Sequence, residues 1–262
     1  MPLGELERRI LQTLAGNRHP DSYIGGGTVI NRAPQSPRFS KDVDLFHDTA
    51  ESVAQSAQAD FVTLNSHGFQ VRWLLNQPTF QRAEVAEGSQ RLRLEWVFDS
   101  AFRFFPVEKD PELGYRLNFW DAATNKVLAL AGRSEPRDFI DVIYLNEHHL
   151  SLAALCWAAA GKDEGLNPVF ILEEARRASR YTQSQIDSLQ LAEPLKVPEL
   201  KRRWLAAVQA AESLLLKLPP EEVGCLYLGA NGTPVTPDPS ATEFTKLTRH
   251  KGSIRGAWPR VG

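Results

Sequence analysis

Residues 22–47 read SYIGGGTVINRAPQSPRFSKDVDLFH, and the fold turns on how this stretch is parsed. Ser22-Tyr23-Ile24 is a short strand entering a turn of three glycines, Gly25, Gly26 and Gly27, after which TVINRA starts a helix. Glycines let a backbone approach a ligand closely and adopt positive φ, and the N-terminus of the following helix offers N–H groups to a phosphate. KDVDLFH is then a strand, with Val43 and Leu45 on one face and Asp42 and Asp44 on the other. Side chains at i and i+2 of a strand stand roughly 6.5 to 7 Å apart, so the two carboxylates can grip a shared pair of hard cations. Two Mg²⁺ ions about 3.5 to 4 Å apart orient a nucleoside triphosphate and neutralise charge as its α-phosphate is attacked. A glycine turn between a strand and a helix is by itself an ordinary connection. Its position just ahead of Asp42 and Asp44 points to nucleotidyl transfer.

Outward from this stretch, MPLGELERRILQTLAG spaces Leu6, Ile10 and Leu14 as an amphipathic helix, and residues 50–66 form another. FQVRWLL, TFQRAEV, QRLRLEWVF and YRLNFW are rich in aromatic and β-branched residues, are separated by Gly, Pro or Asn, and read as strands. Residues 1–120 are thus an α+β nucleotide-binding core with a mixed sheet. From Asp121 the period becomes helical: Asp121 caps DAATNKVLALAG, Pro136 opens RDFIDVIYLNEH, and Ser151 caps a third helix. NPVFILEEARRASR, a capping box at Thr182 and Gln185, and PELKRRWLAAVQAAESLLLK complete a helical region over 121–218. Residues 219–262 hold a hairpin around Asn231-Gly232 and a basic tail.

With 262 residues, 42% apolar and 24% charged, the composition is that of an ordinary globular protein with one core or two modest domains. A formal charge of −2 gives no global case for a nucleic-acid partner, which a local patch would have to hold. Cys156 and Cys225 lack CxxC spacing, so neither a zinc site nor a disulfide framework is expected, and a reducing cytoplasm is the simplest setting. The most apolar run, residues 150–161, is too short to cross a bilayer. The histidines lack metal-ligand spacing, and His47 reads as a core or loop residue.

A metal pair of this kind needs a third carboxylate beside the nucleophile. In RLRLEWVF, Leu92, Leu94 and Trp96 share one face and Arg91, Arg93 and Glu95 the other, which makes Glu95 the candidate and Asp99 the fallback. The alternative for Glu95 is a surface ion pair with Arg93 or a neighbouring strand. Lys126 and Arg133 are two helical turns apart and share a face, where a Lys point charge and an Arg fork can hold nucleotide phosphates. Arg137, Asp138 and Asp141 follow.

GGGTVI…RFSKDVDLF followed by NKVLALAGRSEPRDFIDVIYL resembles the AbiEii/AbiGii toxin family of nucleotidyltransferases, within the polymerase-β-like superfamily. The resemblance covers roughly residues 20–150 and is diffuse beyond. It implies a first motif on Gly26, Gly27, Thr28, Arg38, Ser40, Asp42 and Asp44, in which the two aspartates hold metal while Ser40 and the glycine turn touch phosphate. It implies a later motif on Lys126, Arg133, Asp138 and Asp141, with Lys126 on the triphosphate and an aspartate positioning Lys126 or the acceptor. Two departures stand out: the prolines of Ala33-Pro34-Gln35-Ser36-Pro37, and Glu95 where Asp is common.

The expectation is an enzyme that uses Mg²⁺, in two ions held by Asp42, Asp44 and Glu95, to move a nucleoside monophosphate from an NTP to a hydroxyl. The resemblance further implies a toxin of a toxin–antitoxin or phage-defence pair, an antitoxin encoded nearby, and tRNA as acceptor. Lys246, Arg249, Lys251, Arg255 and Arg260 beside Trp258 are the candidate RNA contacts. Arg176, Arg177, Arg180, Lys201, Arg202 and Arg203 read first as charged helix faces. The rival readings are nucleotidylation of a small molecule such as an antibiotic, and a non-catalytic nucleotide-binding module.

Overall fold

A computed structural model describes residues 3–33, 35–40 and 42–259; Pro34, Lys41 and Arg260, named above, lie outside the described residues. The chain divides into two units, one running to Ala101 and including Pro106–Ala122, the other formed by Phe102–Phe105 and the residues from Ala123 onward.

In the first unit, α1 (Glu5–Leu14) buries Leu6, Ile10, Leu11 and Leu14 along the stripe that its spacing predicts, and Glu7 with them. Then come β1 (Ser22–Ile24), α2 (Gly26–Ile30), β2 (Asp42–His47) and α3 (Ala50–Ser66), whose N-cap Thr49 accepts a hydrogen bond from the Ser52 N–H. A meander of β3 (Gln70–Gln77), β4 (Phe80–Glu87) and β5 (Gln90–Phe98) follows. After β6 (Phe102–Arg103), which belongs to the second unit, come β7 (Glu108–Asp110) and β8 (Gly114–Arg116).

These strands form one mixed seven-stranded sheet in the order β3-β4-β5-β2-β1-β8-β7. β2 is parallel to β5 and antiparallel to β1. α3 packs against β5, and fully buried Asp60 on α3 pairs with Arg18 and accepts from the Trp96 indole N–H at 2.7 Å. That buried polar cluster fixes the helix on the sheet and so fixes β5 beneath the site.

YRLNFW, expected as one strand, is strand only at its first two residues, the end of β8 (Gly114–Arg116). Asn118 Oδ1 accepts the Trp120 N–H at 2.9 Å, so helix α4 (Phe119–Gly132) starts ahead of Asp121, which lies in its first turn and does not cap it. The residues of α4 from Ala123 belong to the second unit, with α5 (Pro136–His148), α6 (Leu152–Ala159), α7 (Pro168–Arg177), α8 (Gln183–Asp187) and α9 (Val197–Leu215). The Ser151 hydroxyl caps α6, Asn167 caps α7, and Thr182 with Gln185 forms the capping box of α8. α6 is apolar and buried all round, with α7 and α9 against it.

Past α9, β9 (Cys225–Leu228) turns at Asn231-Gly232 as expected, with a bridge from Leu228 to Pro234. Its ladder is made with β10 (Thr248–Lys251), while β11 (Ser253–Ile254) pairs with β6. The expected basic tail is therefore folded structure as far as Ile254. Both cysteines are free and buried, and among the described residues no helix is long and apolar enough to cross a membrane.

Candidate functional site

The parallel register of β2 and β5 sets Asp42 opposite Arg93 and Asp44 opposite Glu95, and that of β4 and β5 sets Glu84 opposite Arg93 and Arg82 opposite Glu95. Residues opposite in register share a sheet face, so two rows of charge cross the strands about 4.8 Å apart per step. In one row Arg72, Glu84, Arg93 and Asp42 alternate in sign. The other runs Arg82, Glu95, Asp44, with two carboxylates side by side.

Arg82 Nε donates to Glu95 Oε1 at 2.8 Å, and Arg93 Nη1 lies 3.5 Å from Asp42 Oδ1. The ion pair expected as the alternative for Glu95 is thus present, to Arg82 rather than Arg93, and the carboxylate still abuts Asp44. Burial raises the Glu95 pKa, Asp44 and Asp42 raise it further, and Arg82 pulls it down. Asp99, the fallback, lies beyond the end of β5, where its Oδ1 accepts the Ser100 N–H at 2.8 Å; the register brings Glu95, not Asp99, beside Asp44.

The glycine turn lies directly against this row. Gly26 has φ +59°, and a Cβ there would stand 1.9 Å from Asp44 Oδ2; a Cβ on Gly25 would enter the Phe46 ring at 2.2 Å. Only glycine lets the turn pass this close to β2. A Cβ on Gly27 would be 3.0 Å from Arg38 Nη2 and 3.1 Å from Ser40 Oγ, and the Ser40 hydroxyl donates to the Asp42 carbonyl at 2.8 Å. Gly26, Gly27, Arg38, Ser40, Asp42, Asp44 and Glu95 therefore come together in one unit.

Thr28 joins them from behind. It is 1% exposed and its hydroxyl donates to Glu7 Oε1 at 3.3 Å. Glu7 and Arg82 are the members that sequence reasoning missed. The available signal for Glu7 was a carboxylate in register with Ile10, Leu11 and Leu14 on an apolar stripe. His47 is a buried core histidine 3.1 Å from Ser22 Oγ, its pKa pushed down to about 4 by burial and Arg18.

The donor set, three carboxylates on one face with two of them adjacent, has the hard-oxygen chemistry that suits Mg²⁺. Among the described residues no group of three His, Cys, Asp or Glu side chains converges as a metal cluster, and Glu95 and Asp42 contact Arg82 and Arg93.

In the second unit, Lys126 Nζ lies 2.8 Å from Asp138 Oδ1 and 3.2 Å from Asp141 Oδ2, and Arg133 Nε donates to Asp138 Oδ2 at 2.8 Å. Both aspartates are fully buried. Burial alone would raise the Asp138 pKa, but Lys126 and Arg133 outweigh it and hold the group at about 2. The later motif is thus an assembled ion network in which the aspartates fix Lys126. Of the tail cations, Arg249 is bound to Glu222 at 2.8 Å and stacked over Tyr227 and Phe244. Arg176, Arg177 and Arg203 pair with Glu212, Glu174 and Glu147, as charged helix faces do.

No family model matches this chain, and no curated protein sequence matches it. Solved structures do. JHP933 from Helicobacter pylori superposes with a TM-score of 0.53 at 19% identity, over 82% of this chain and 96% of that one. MenT4, a nucleotidyltransferase toxin from Mycobacterium tuberculosis, superposes with a TM-score of 0.60 at 16% identity, over 82% of this chain and 83% of that one. At such identity the likeness is one of fold: the chain has the α+β nucleotidyltransferase fold that its sequence resemblance implied.

Proposed function

We propose that this protein is a nucleotidyltransferase that moves a nucleoside monophosphate from an NTP to an acceptor hydroxyl. The observation that carries the reading is the row Arg82, Glu95, Asp44 with the Gly26 backbone packed on Asp44. Glycine backbone packed against adjacent carboxylates and an arginine suits a polyphosphate and its counter-ions.

In the reaction, the acceptor oxygen bonds to the α-phosphorus, the bond from that phosphorus to the β-bridging oxygen breaks, and pyrophosphate leaves with the electron pair. The hydroxyl proton passes to Glu95, whose carboxylate Arg82 keeps oriented. Mg²⁺ held by Asp42, Asp44 and Glu95 would neutralise the phosphate charge at this site. Gly26, Gly27 and Ser40 line the phosphate side, and Arg38 braces the turn at Gly27. Lys126, held by Asp138 and Asp141 with Arg133 beside it, keeps the phosphate-binding role that the resemblance implies.

The toxin role and an antitoxin partner have the fold of MenT4 in their favour. tRNA as acceptor and phage defence come from the family resemblance alone. A cytoplasmic setting accords with two free, buried cysteines.

The test is incubation of the purified protein with Mg²⁺, each α-labelled NTP and total cellular RNA, beside Asp42→Asn. Label in a tRNA-sized band with the unmutated protein alone supports transfer and the RNA acceptor together. Label on protein or on a small molecule keeps the transferase and rejects RNA. Nucleotide binding with no transfer to any acceptor rejects the enzyme in favour of a binding module.

A further inference from the structure

Glu7 is a buried titratable group that the chemistry above leaves without a part. It lies on the core-facing stripe of α1 and is 4% exposed, a position where an apolar side chain would pack at less cost. Its two oxygens are committed: Oε1 accepts from the Thr28 hydroxyl at 3.3 Å and Oε2 from the Gly4 N–H at 3.4 Å. Arg38, whose guanidinium abuts Gly27, attracts it electrostatically. Glu7 therefore reaches the glycine turn twice, through the hydroxyl of Thr28 and through the charge of Arg38.

We propose that Glu7 is a positioning residue for the Gly25–Thr28 turn, holding Thr28 and Arg38 so that the turn keeps the conformation that receives nucleotide. The inference rests on the nucleotide-site reading above. Without an acceptor at this position, Thr28 and Arg38 lose the group that ties them to α1, and the backbone of Gly26 and Gly27 loses its support from behind. Affinity falls although no atom facing the nucleotide has changed.

Protonation adds a readout. Burial pushes the Glu7 carboxyl up to about 7, against the opposing pull of Gly4, Thr28 and Arg38, so the hold on Arg38 changes in the neutral range. Other charges around α1 are engaged elsewhere. Arg9 reaches Glu87, Asp60 on α3 is paired with Arg18, and Arg91, Arg93 and Glu95 on β5 alternate away from the Leu92, Leu94, Trp96 face. Arg38 is the charge that bears on Glu7.

The experiment measures the dissociation constants of the four NTPs with Mg²⁺ from pH 6 to 8.5 for the full chain, Glu7→Met, Thr28→Val and the double variant, with melting temperatures alongside. Expected is an affinity about tenfold weaker in Glu7→Met at pH 8, the loss of roughly one charged hydrogen bond. The expected pH profile is flatter than the parent's, the double variant is no worse than Glu7→Met, and the melting temperature at pH 8 is no lower. Parent-like affinity and profile in Glu7→Met would overturn the inference, as would a loss of affinity that simply tracks a fall in melting temperature. If the unmutated protein binds none of the four, the nucleotide reading itself falls and takes this inference with it.

Discussion

Two buried carboxylates, Glu7 and Asp138, are driven in opposite directions by what lies beside them. Asp138 has two cations in contact and is held at about 2; on Glu7 burial outweighs the pull of Gly4, Thr28 and Arg38 and takes the group up to about 7. The consequences for stability are opposite in sign. For Glu7, the folded state binds the proton more tightly than the unfolded chain does, so stability is full below its ordinary 4.5 and declines as pH rises through 7, by about 3 kcal/mol. For Asp138, stability is present above its ordinary 3.8 and is lost as pH falls through 2, about 2 kcal/mol in all. Asp138→Asn is accordingly expected to cost about 2 kcal/mol at pH 7, with the gap from the unmutated protein narrowing below pH 3.8. Urea unfolding at several pH values checks this, and a gap that stays constant with pH would rule out the ion network as its source. A link between an aspartate and Lys126 was implied by the family resemblance, whereas the helical spacing of Lys126 and Arg133 gave only their shared face. The role of Glu7 was not legible, because its partners Thr28 and Arg38 come from segments remote in sequence.

At the level of elements, β2 could be read from alternation alone: Val43 and Leu45 are fully buried and the aspartates share the other face. Its neighbour could not, because parallel pairing to β5 is a long-range event that no local period encodes, and that pairing is what sets Glu95 beside Asp44. The start of α4 was misread because YRLNFW carries strand formers while a single Asn118 side chain ends the strand and caps the helix. The glycine turn was legible as a turn, but not the reason for its glycines. Gly26 and Gly68 separate two such reasons. Both have positive φ, +59° and +85°, but Gly68 has nothing within 4 Å of a new Cβ, whereas Gly26 has Asp44 Oδ2 at 1.9 Å. Gly68→Ala should therefore cost about 1 kcal/mol, the backbone term alone. Gly26→Ala should cost clearly more and displace Asp44, abolishing binding of an NTP with Mg²⁺. Thermal melts of the pair, with a nucleotide titration, decide it; equal costs and retained binding would mean that the turn does not press on β2 as described.

For the whole molecule, the least legible fact is that four residues from the middle of the first unit's sequence belong to the second. Phe102–Phe105 looks like the tail of a strand run, yet β6 pairs with β11, and Phe104 and Phe105 are 0% and 3% exposed. The Phe104 carbonyl accepts from His250 Nε2 at 2.8 Å and from the Ala257 N–H at 3.1 Å, and Phe105 packs on the His250 and Trp258 rings. A cut just ahead of Ala123, where the long stretch of the second unit begins inside α4, would remove two buried phenylalanines at roughly 2 to 3 kcal/mol each, together with the first residues of α4, and strand a buried histidine without its acceptor. Against a typical stability of about 5 to 15 kcal/mol for a domain, that loss is large. A fragment of residues 123–262 is therefore expected to melt at much lower temperature, or without cooperativity. Supplying a peptide of residues 99–108 in trans should raise its melting temperature, because the missing strand and both rings can return to β11 and His250. Calorimetry of the fragment with and without the peptide, and with a peptide carrying Phe104→Ala, provides the check. A fragment that melts cooperatively at the temperature of the full chain, indifferent to the peptide, would show that the second unit holds together through its helices alone and that Phe102–Phe105 merely lies against it.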